Sequence, residues 1–158
     1  MFKEVSRIKQ RLDLTESNKI LSDTVRGTLA VNGLDGYPYA MTLNHYFSKD
    51  ENRIYFHGGK NGYKMDCIKK DNRCSYTVIM EISKLENHWA KVFKSVIVFG
   101  EIHFVDDKNK IKEISTLLSY KFTNDDNYIN DEINKYIEAT SLFYIDIKHL
   151  TGKIVTEK

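Results

Sequence analysis

The feature that most constrains this chain is a run of twelve residues, Tyr37–Ser48, in which the type of side chain alternates at every position. One face carries Tyr37, Tyr39, Met41, Leu43, His45 and Phe47, and the other carries Pro38, Ala40, Thr42, Asn44, Tyr46 and Ser48. A period of two predicts a β-strand. The turn dipeptide Asp35-Gly36 separates it from a run of β-formers, Val25–Asn32, which predicts an antiparallel hairpin. We expect the first face to lie in the core. The second face could line a ligand slot or face solvent.

Four further strands are predicted after this hairpin. They cover Arg53–His57, Arg73–Met80, Lys91–Val105 and Leu142–Leu150, and a polar loop is expected over Glu81–Ala90. The Lys91–Val105 segment is apolar on both faces apart from Lys94, Ser95, Glu101 and His103. Burial of both faces predicts either a central barrel strand or a strand that a partner subunit covers.

Helices are predicted between and after these strands. The segments are Glu16–Asp23 with Thr15 as its cap, Tyr63–Lys70, a helix capped by Asp106 or Asp107 that runs through Phe122, and Ile129–Thr140. The order of elements predicts a mainly β (α+β) fold, a small six-stranded antiparallel barrel with peripheral helices. A single domain over residues 1–158 is expected, with a helical insertion at about 107–140 before the last strand.

Charge and composition exclude several classes of protein. Lys and Arg number 24 against 22 Asp and Glu, so the net charge of +2 gives no long-range attraction to nucleic acid or to an anionic membrane. The N-terminus has no apolar signal region, and no stretch approaches the roughly 18 apolar residues of a membrane span. The two cysteines, Cys67 and Cys74, fit no redox or zinc spacing; reduced core thiols are expected, with a disulfide between them as the alternative that spacing leaves open. We therefore expect a cytoplasmic protein.

One segment carries residues suited to phosphate binding. In Ile54–Lys64 a strand end delivers His57, three glycines follow, and Lys64 lies in the first turn of a predicted helix. Backbone amides, the helix dipole and an ammonium would converge there on a phosphate monoester. A flexible turn with a surface lysine is the alternative. The five histidines show no metal-ligand spacing, no nucleophile motif is present, and no protein metal site is expected.

Three motifs in this order resemble those of a known family. Gly36–Asn44 resembles the "G-x-P-Y…N" strand of the flavin-binding split-barrel proteins, and Ile54–Gly59 with Gly62-x-Lys64 resembles their "YFHGA…GxK" segment. Phe93–Gly100 resembles their "YRSVxxxG" strand, and Gly152-Lys153 is similar to their "TGK". The most similar branch is the pyridoxamine 5′-phosphate oxidase-related group that contains the nitroimidazole-resistance (Nim) proteins. Thr42, Phe93 and Lys94 depart from that branch, which has Pro, Tyr and Arg there.

The resemblance implies a six-stranded split barrel that forms a homodimer, with one FMN in each of two clefts between the subunits. It implies that Ala40, Thr42 and Asn44, with the backbone of Met41 and Leu43, lie along the isoalloxazine ring and the ribityl chain. The phosphate end would be held by His57 and Lys64, next to Phe56, and Ser95 would add a hydroxyl contact.

The reaction implied is the reduction of a small electron-poor, nitroimidazole-like substrate by an FMN-dependent oxidoreductase. His57 would be either a proton shuttle or a neutral hydrogen-bonding partner of the cofactor. Pyridoxamine phosphate oxidase activity is less favoured because no arginine follows Arg73. The alternatives are a non-catalytic flavin-binding or flavin-buffering protein, a haem-binding split barrel, and an interaction domain without cofactor. A small-molecule substrate is expected as partner, with no nucleic acid and no membrane.

Overall fold

The computed structural model describes residues 2–84 and 91–156, which form eight strands and four α-helices. The strands are β1 (Arg11–Leu12), β2 (Arg26–Asn32), β3 (Pro38–Asn44), β4 (Tyr46–Ser48), β5 (Arg53–Gly59), β6 (Arg73–Lys84), β7 (Lys91–Val105) and β8 (Thr140–Thr156). The helices are α1 (Leu14–Asp23), α2 (Tyr63–Lys70), α3 (Lys108–Ser119) and α4 (Asp126–Tyr136), with short 3₁₀ turns at Ile8–Gln10 and Ile137–Ala139.

All the strands pair antiparallel in one sheet that curls on itself. The order is β3-β2-β6-β7-β8-β5-β4, and β1 adds a short pairing to the far part of β8. The first and last strands of this path, β3 and β4, are consecutive in the chain and are separated by His45 alone. The two ends of the sheet are therefore tied together, which closes the fold as a split barrel.

The predicted strand Tyr37–Ser48 divides at His45 because the chain changes its neighbouring strand there. β3 pairs with β2, whereas β4 pairs with β5. The His45 imidazole is fully buried, with Nε2 2.8 Å from the Leu21 carbonyl oxygen and Nδ1 2.8 Å from the Tyr76 hydroxyl. Burial lowers the pKa of His45 from 6.5 to about 4, so the corner is held by a neutral ring.

The core fills the barrel and is capped by helices. Side chains from the inward faces of the strands pack with residues of α1 and α2, among them Leu29, Val31, Phe56, Tyr76, Val96, Val98, Phe143, Ile20, Leu21, Met65 and Ile68. A second, smaller cluster lies on the opposite side of β5 and β8, where Tyr55 and Leu142 pack against Ile111 and Ile114 of α3. The helical insertion therefore covers the outside of the barrel rather than its interior.

The predicted barrel and its peripheral helices are confirmed, with differences in detail. Eight strands replace the expected six, because His45 splits one strand and Arg11–Leu12 pairs with Gly152–Lys153. Asp13, not Thr15, caps α1, since its carboxylate accepts the Glu16 amide hydrogen bond at 2.7 Å.

Several predicted element ends also differ. The predicted loop over 81–90 is wrong for Glu81–Lys84, which continue β6, and residues 85–90 lie outside the described residues. The helices predicted to reach Phe122 and Thr140 end at Ser119 and Tyr136. The last strand runs past Leu150 to Thr156 because it pairs with β7 along its length and with β1 near its end.

Candidate functional site

The outward face of β3 is small and accessible, as its alternation predicted. Ala40 and Thr42 are exposed and Asn44 is half-buried, whereas Met41 and Leu43 turn inward and pack against the core. Only the backbone of these last two residues can meet a ligand on the outside. Tyr37 was predicted on the core face, but it precedes the first residue of the strand and is 75% exposed.

The neighbouring strand extends this face. The register places Ala30 opposite Ala40 and Thr28 opposite Thr42, so paired residues on β2 and β3 point to the same side. Two rows of small side chains therefore form a shallow strip at this edge of the sheet. Such a strip can accept a flat ring without a steric clash.

The end of β5 is a backbone segment with little side-chain cover. Phe56 is fully buried, stacked on Phe143 with ring centroids 5.4 Å apart, so it can offer only backbone atoms to a ligand. At Gly59 and Gly62 a Cβ would meet nothing within 4 Å, and Gly62, with φ of +115°, precedes α2 and gives it no side-chain cap. The amide groups at the start of α2 are therefore left without a side-chain acceptor.

Lys64 projects over this open backbone. Its ammonium lies 5.4 Å from the centre of the Phe143 ring, and a Cβ at position 58 would come within 3.0 Å of it. Burial lowers the pKa of Lys64, and the structure gives this half-buried ammonium no ion pair among residues 2–84 and 91–156. We call Gly58, Gly59, Gly62 and Lys64 the glycine–lysine cradle. Its chemistry suits an anion.

His57 points to the other side of β5. Strand alternation places its side chain with Tyr55, towards α3, whereas Phe56 and Gly58 face the interior and Lys64. It lines a cavity of about 180 Å³ between β5 and the two helices of the insertion. Burial, and then the nearby Lys64 charge, lowers the pKa of His57 below 6.5. The structure therefore does not bring the His57 and Lys64 side chains to one face.

Ser95 lies far from the glycine–lysine cradle within one chain. Along β7 it is ten residues from Val105, which pairs with Leu142, and Leu142 in turn pairs with His57. At about 3.3 Å per residue, the path along the strand from Ser95 to Val105 is roughly 30 Å. Ser95 therefore lies towards the opposite end of β7 from the strand pair that leads to the glycine–lysine cradle.

Ser95 shares its outward face with an apolar surface. Ile79 pairs with Ser95, and Ile97 and Phe99 follow on the same side of β7; they are 60%, 42% and 36% exposed. We call Ile79, Ile97 and Phe99 the outer apolar face. Contiguous exposed apolar side chains of this kind mark interaction surfaces.

Lys94, one of the departures from the family pattern, has a partner of its own. It points to the opposite side of β7 from Ser95, and its ammonium pairs with the Glu16 carboxylate on α1. This ion pair ties the helix to the sheet. Lys94 is therefore not a free cation available to a ligand.

Tyr63 is a positioning residue that the sequence reasoning missed. Its hydroxyl accepts from the Leu34 amide at 3.0 Å and donates to the Asp35 carboxylate at 3.2 Å, and its ring packs edge-on against Tyr39 at 5.0 Å. These contacts fix the start of α2, and with it Lys64, against the β2–β3 turn. The sequence Gly62-Tyr63-Lys64 places this tyrosine beside the lysine, but nothing in the neighbouring residues identified the β2–β3 turn as its hydrogen-bonding partner.

Other chemistries find less support. Both cysteines are free and buried, as expected, and burial raises the pKa of Cys74 to about 12, so Cys74 is not a reactive thiolate. Within the described part of the chain no group of three or more His, Cys, Asp or Glu side chains is placed to hold a metal ion. No helix of residues 2–84 and 91–156 has the length and apolar character to cross a bilayer.

Comparison with known proteins gives one family and many similar folds. A family profile described as pyridoxamine 5′-phosphate oxidase matches residues 13–154. None of the curated proteins matches the chain.

Among solved structures, a candidate 5-nitroimidazole antibiotic resistance protein from Bacteroides thetaiotaomicron is similar with a TM-score of 0.77 and 16% identity, over 92% of this chain and 87% of that one. An FAD-binding protein from Mesorhizobium loti gives a TM-score of 0.71 and 21% identity, over 92% and 97% of the two chains. An FAD and heme binding protein from Mycobacterium smegmatis gives 0.69 and 16%, over 92% and 72%. These likenesses show a shared split-barrel fold.

Proposed function

The chain belongs to the pyridoxamine 5′-phosphate oxidase family, and on that premise we propose that it is a homodimeric FMN-binding oxidoreductase that reduces small electron-poor substrates of the nitroimidazole kind. The observation that carries the proposal is the half-buried Lys64 ammonium, which faces bare glycine backbone and makes no ion pair within the described residues. The residues present fit a phosphate monoester at that point.

The phosphate end of FMN would lie in the glycine–lysine cradle. An ammonium that is half-removed from water without a counter-charge is unfavourable, and a phosphate would provide that charge together with acceptor oxygens. The missing side chain at Gly58 leaves the space open, because a Cβ there would press on Lys64 at 3.0 Å. The uncapped amides of α2 add donors to the same anion.

The isoalloxazine ring and the ribityl chain would lie along the small strip on β3 and β2. Ala40 and Thr42 are exposed there with Ala30 and Thr28 beside them, and the half-buried Asn44 supplies an amide that can both donate and accept. The backbone at Met41 and Leu43 completes the strip, since their side chains are turned into the core.

A homodimer accounts for the outer apolar face and for Ser95. Ile79, Ile97 and Phe99 expose apolar area that a second copy would remove from water, and a two-fold contact uses the same surface on both copies. Ser95 lies beside this face and far from its own chain's Lys64. We therefore assign its hydroxyl to the flavin held by the other copy.

The cofactor would supply the electron transfer, while the chain binds, orients and tunes it. His57 is the proposed proton-transfer residue. Its lowered pKa leaves the ring neutral and able to accept a proton at pH 7. A relay through His57 acts from the outer side of β5, because its side chain points away from the glycine–lysine cradle.

The comparisons support a flavin more broadly than FMN. The relative from Mesorhizobium loti is described as FAD-binding, and the relative from Mycobacterium smegmatis as binding FAD and heme. We choose FMN because one lysine with three nearby glycines matches a single phosphate. Identification of FAD or haem as the bound cofactor would contradict the choice of FMN.

Turnover is the experiment that tests the reductase. The FMN-loaded protein is reduced without oxygen, a nitroimidazole is added, and the return of the oxidised flavin absorption is followed against free FMN at equal concentration. We expect faster reoxidation by the protein than by free FMN. Equal rates would make it a flavin-binding or flavin-buffering protein instead of a reductase.

A further inference from the structure

A cavity of about 180 Å³ lies between β5 and the helical insertion, on the opposite side of the strand from the glycine–lysine cradle. Ile111, Ile133 and Ile137 line its walls. A cavity of about 150 Å³ with apolar walls can hold a benzene ring in another protein, so this one is ring-sized. The three fused rings of a flavin need more room.

Part of the cavity lining is polar. His57 and Ser115, which is 5% exposed, contribute to it. A half-buried imidazole can offer a donor and an acceptor to a ligand or to water. Because burial and the Lys64 charge lower the pKa of His57, the ring is neutral at pH 7 and offers one of each.

The rim sets the charge that the cavity accepts. None of the residues that line it is Lys or Arg, and the one acid among them, Glu132, lies 4.0 Å from the Lys135 ammonium. An anion would find no positively charged side chain among the lining residues. An uncharged ring with a hydrogen-bonding nitrogen or oxygen meets every feature of the cavity.

We infer that this cavity is a binding site for a single uncharged heteroaromatic ring, held between Ile111 and Ile133 and hydrogen-bonded to His57. The inference goes beyond the proposed function, because the cavity lies on the opposite side of β5 from the glycine–lysine cradle and is a separate site in which His57 contacts the bound ring. Binding itself does not require the flavin, and it can therefore be measured separately.

The experiment follows the ring signals of isotope-labelled histidine by NMR while metronidazole, a neutral nitroimidazole, is added to the full-length protein with and without FMN. We expect the His57 signals to move and saturate. Ser119 lines the cavity, and Ser119→Phe fills it, which should weaken binding by about tenfold or more, a loss of about 1.4 kcal/mol. Ser22→Phe, at an exposed serine of α1, is the matched control and should leave binding unchanged.

Three outcomes would overturn the inference. The His57 signals show no saturable shift, the shifts persist in Ser119→Phe, or benzoate, an anion of similar size, binds as tightly as metronidazole. Thermal melts check that the variants fold, and Ile137→Phe is the second filling variant if Ser119→Phe does not. Flavin binding without His57 shifts would contradict only this inference, whereas His57 shifts without flavin binding would contradict only the proposed function.

Discussion

Removing the Lys64 charge tests the phosphate assignment, because the structure leaves that ammonium half-buried and gives it no carboxylate within the described residues. A charge-assisted hydrogen bond contributes about 1.5–3 kcal/mol. At about 1.4 kcal/mol per tenfold, Lys64→Ala should raise the Kd for FMN by about 10- to 150-fold. Lys64→Met should do nearly the same, since it keeps an apolar chain over Phe143 and removes only the charge.

The assay is a titration of the apoprotein with FMN and with riboflavin, followed by quenching of the flavin fluorescence. Riboflavin lacks the phosphate, so its Kd should be almost the same for the wild-type protein and for both variants. Lys70→Ala removes an exposed charge at the other end of the same helix and is the matched control. It should leave both affinities within about twofold.

Two results would refute the reasoning. If the Kd for FMN is unchanged in Lys64→Ala, the phosphate is not held by this residue. If FMN and riboflavin weaken equally, Lys64 acts through the packing of α2 against Phe143 and not through its charge.

Three further changes test other parts of the account. Gly58→Ala should weaken FMN binding, because its Cβ would come within 3.0 Å of the Lys64 ammonium. Gly59→Ala, whose Cβ meets nothing within 4 Å, should leave FMN binding unchanged. Equal effects of the two substitutions on the Kd for FMN would contradict the assignment of the glycine–lysine cradle as the phosphate site. Ile97→Glu should give a monomer by sedimentation, and Tyr128→Glu on α4 should not; an unchanged dimer would remove the outer apolar face from the interface. His45 should make stability depend on pH: its pKa is 6.5 when unfolded and about 4 when folded, so the unfolded state binds the proton first. Its contribution is complete above about pH 6.5 and falls by about 3 kcal/mol as the pH drops to 4, and urea unfolding of His45→Gln should show a smaller loss over that window.

The local sequence pattern was sufficient to predict the elements that are set by residues close together in the chain. The bounds of β7 and α2 agree with their predictions, because β7 is apolar on both faces and α2 repeats apolar residues at helical spacing with a glycine before it. Both depend on side chains within a few residues of each other. The alternation on β3 likewise separated Ala40 and Thr42 from Met41 and Leu43.

What the sequence could not supply is which segment becomes the neighbour of another. His45 continues the alternation, and only the change of partner from β2 to β5 shows that the strand ends there. Similarly, His57 and Lys64 are seven residues apart in one glycine-rich motif, which suggested a shared ligand. The strand pleat sends them to opposite sides of β5, and α3, more than fifty residues later in the chain, covers only one of them.

The visible absorption spectrum tests the central claim most directly. The protein is recorded as purified, then again after incubation with FMN and passage through a desalting column. We predict that a flavin spectrum is retained and that the bound flavin, once released, migrates as FMN. A Soret band would instead identify a haem protein, released FAD would replace the proposed cofactor, and a colourless protein in both recordings would contradict flavin binding altogether.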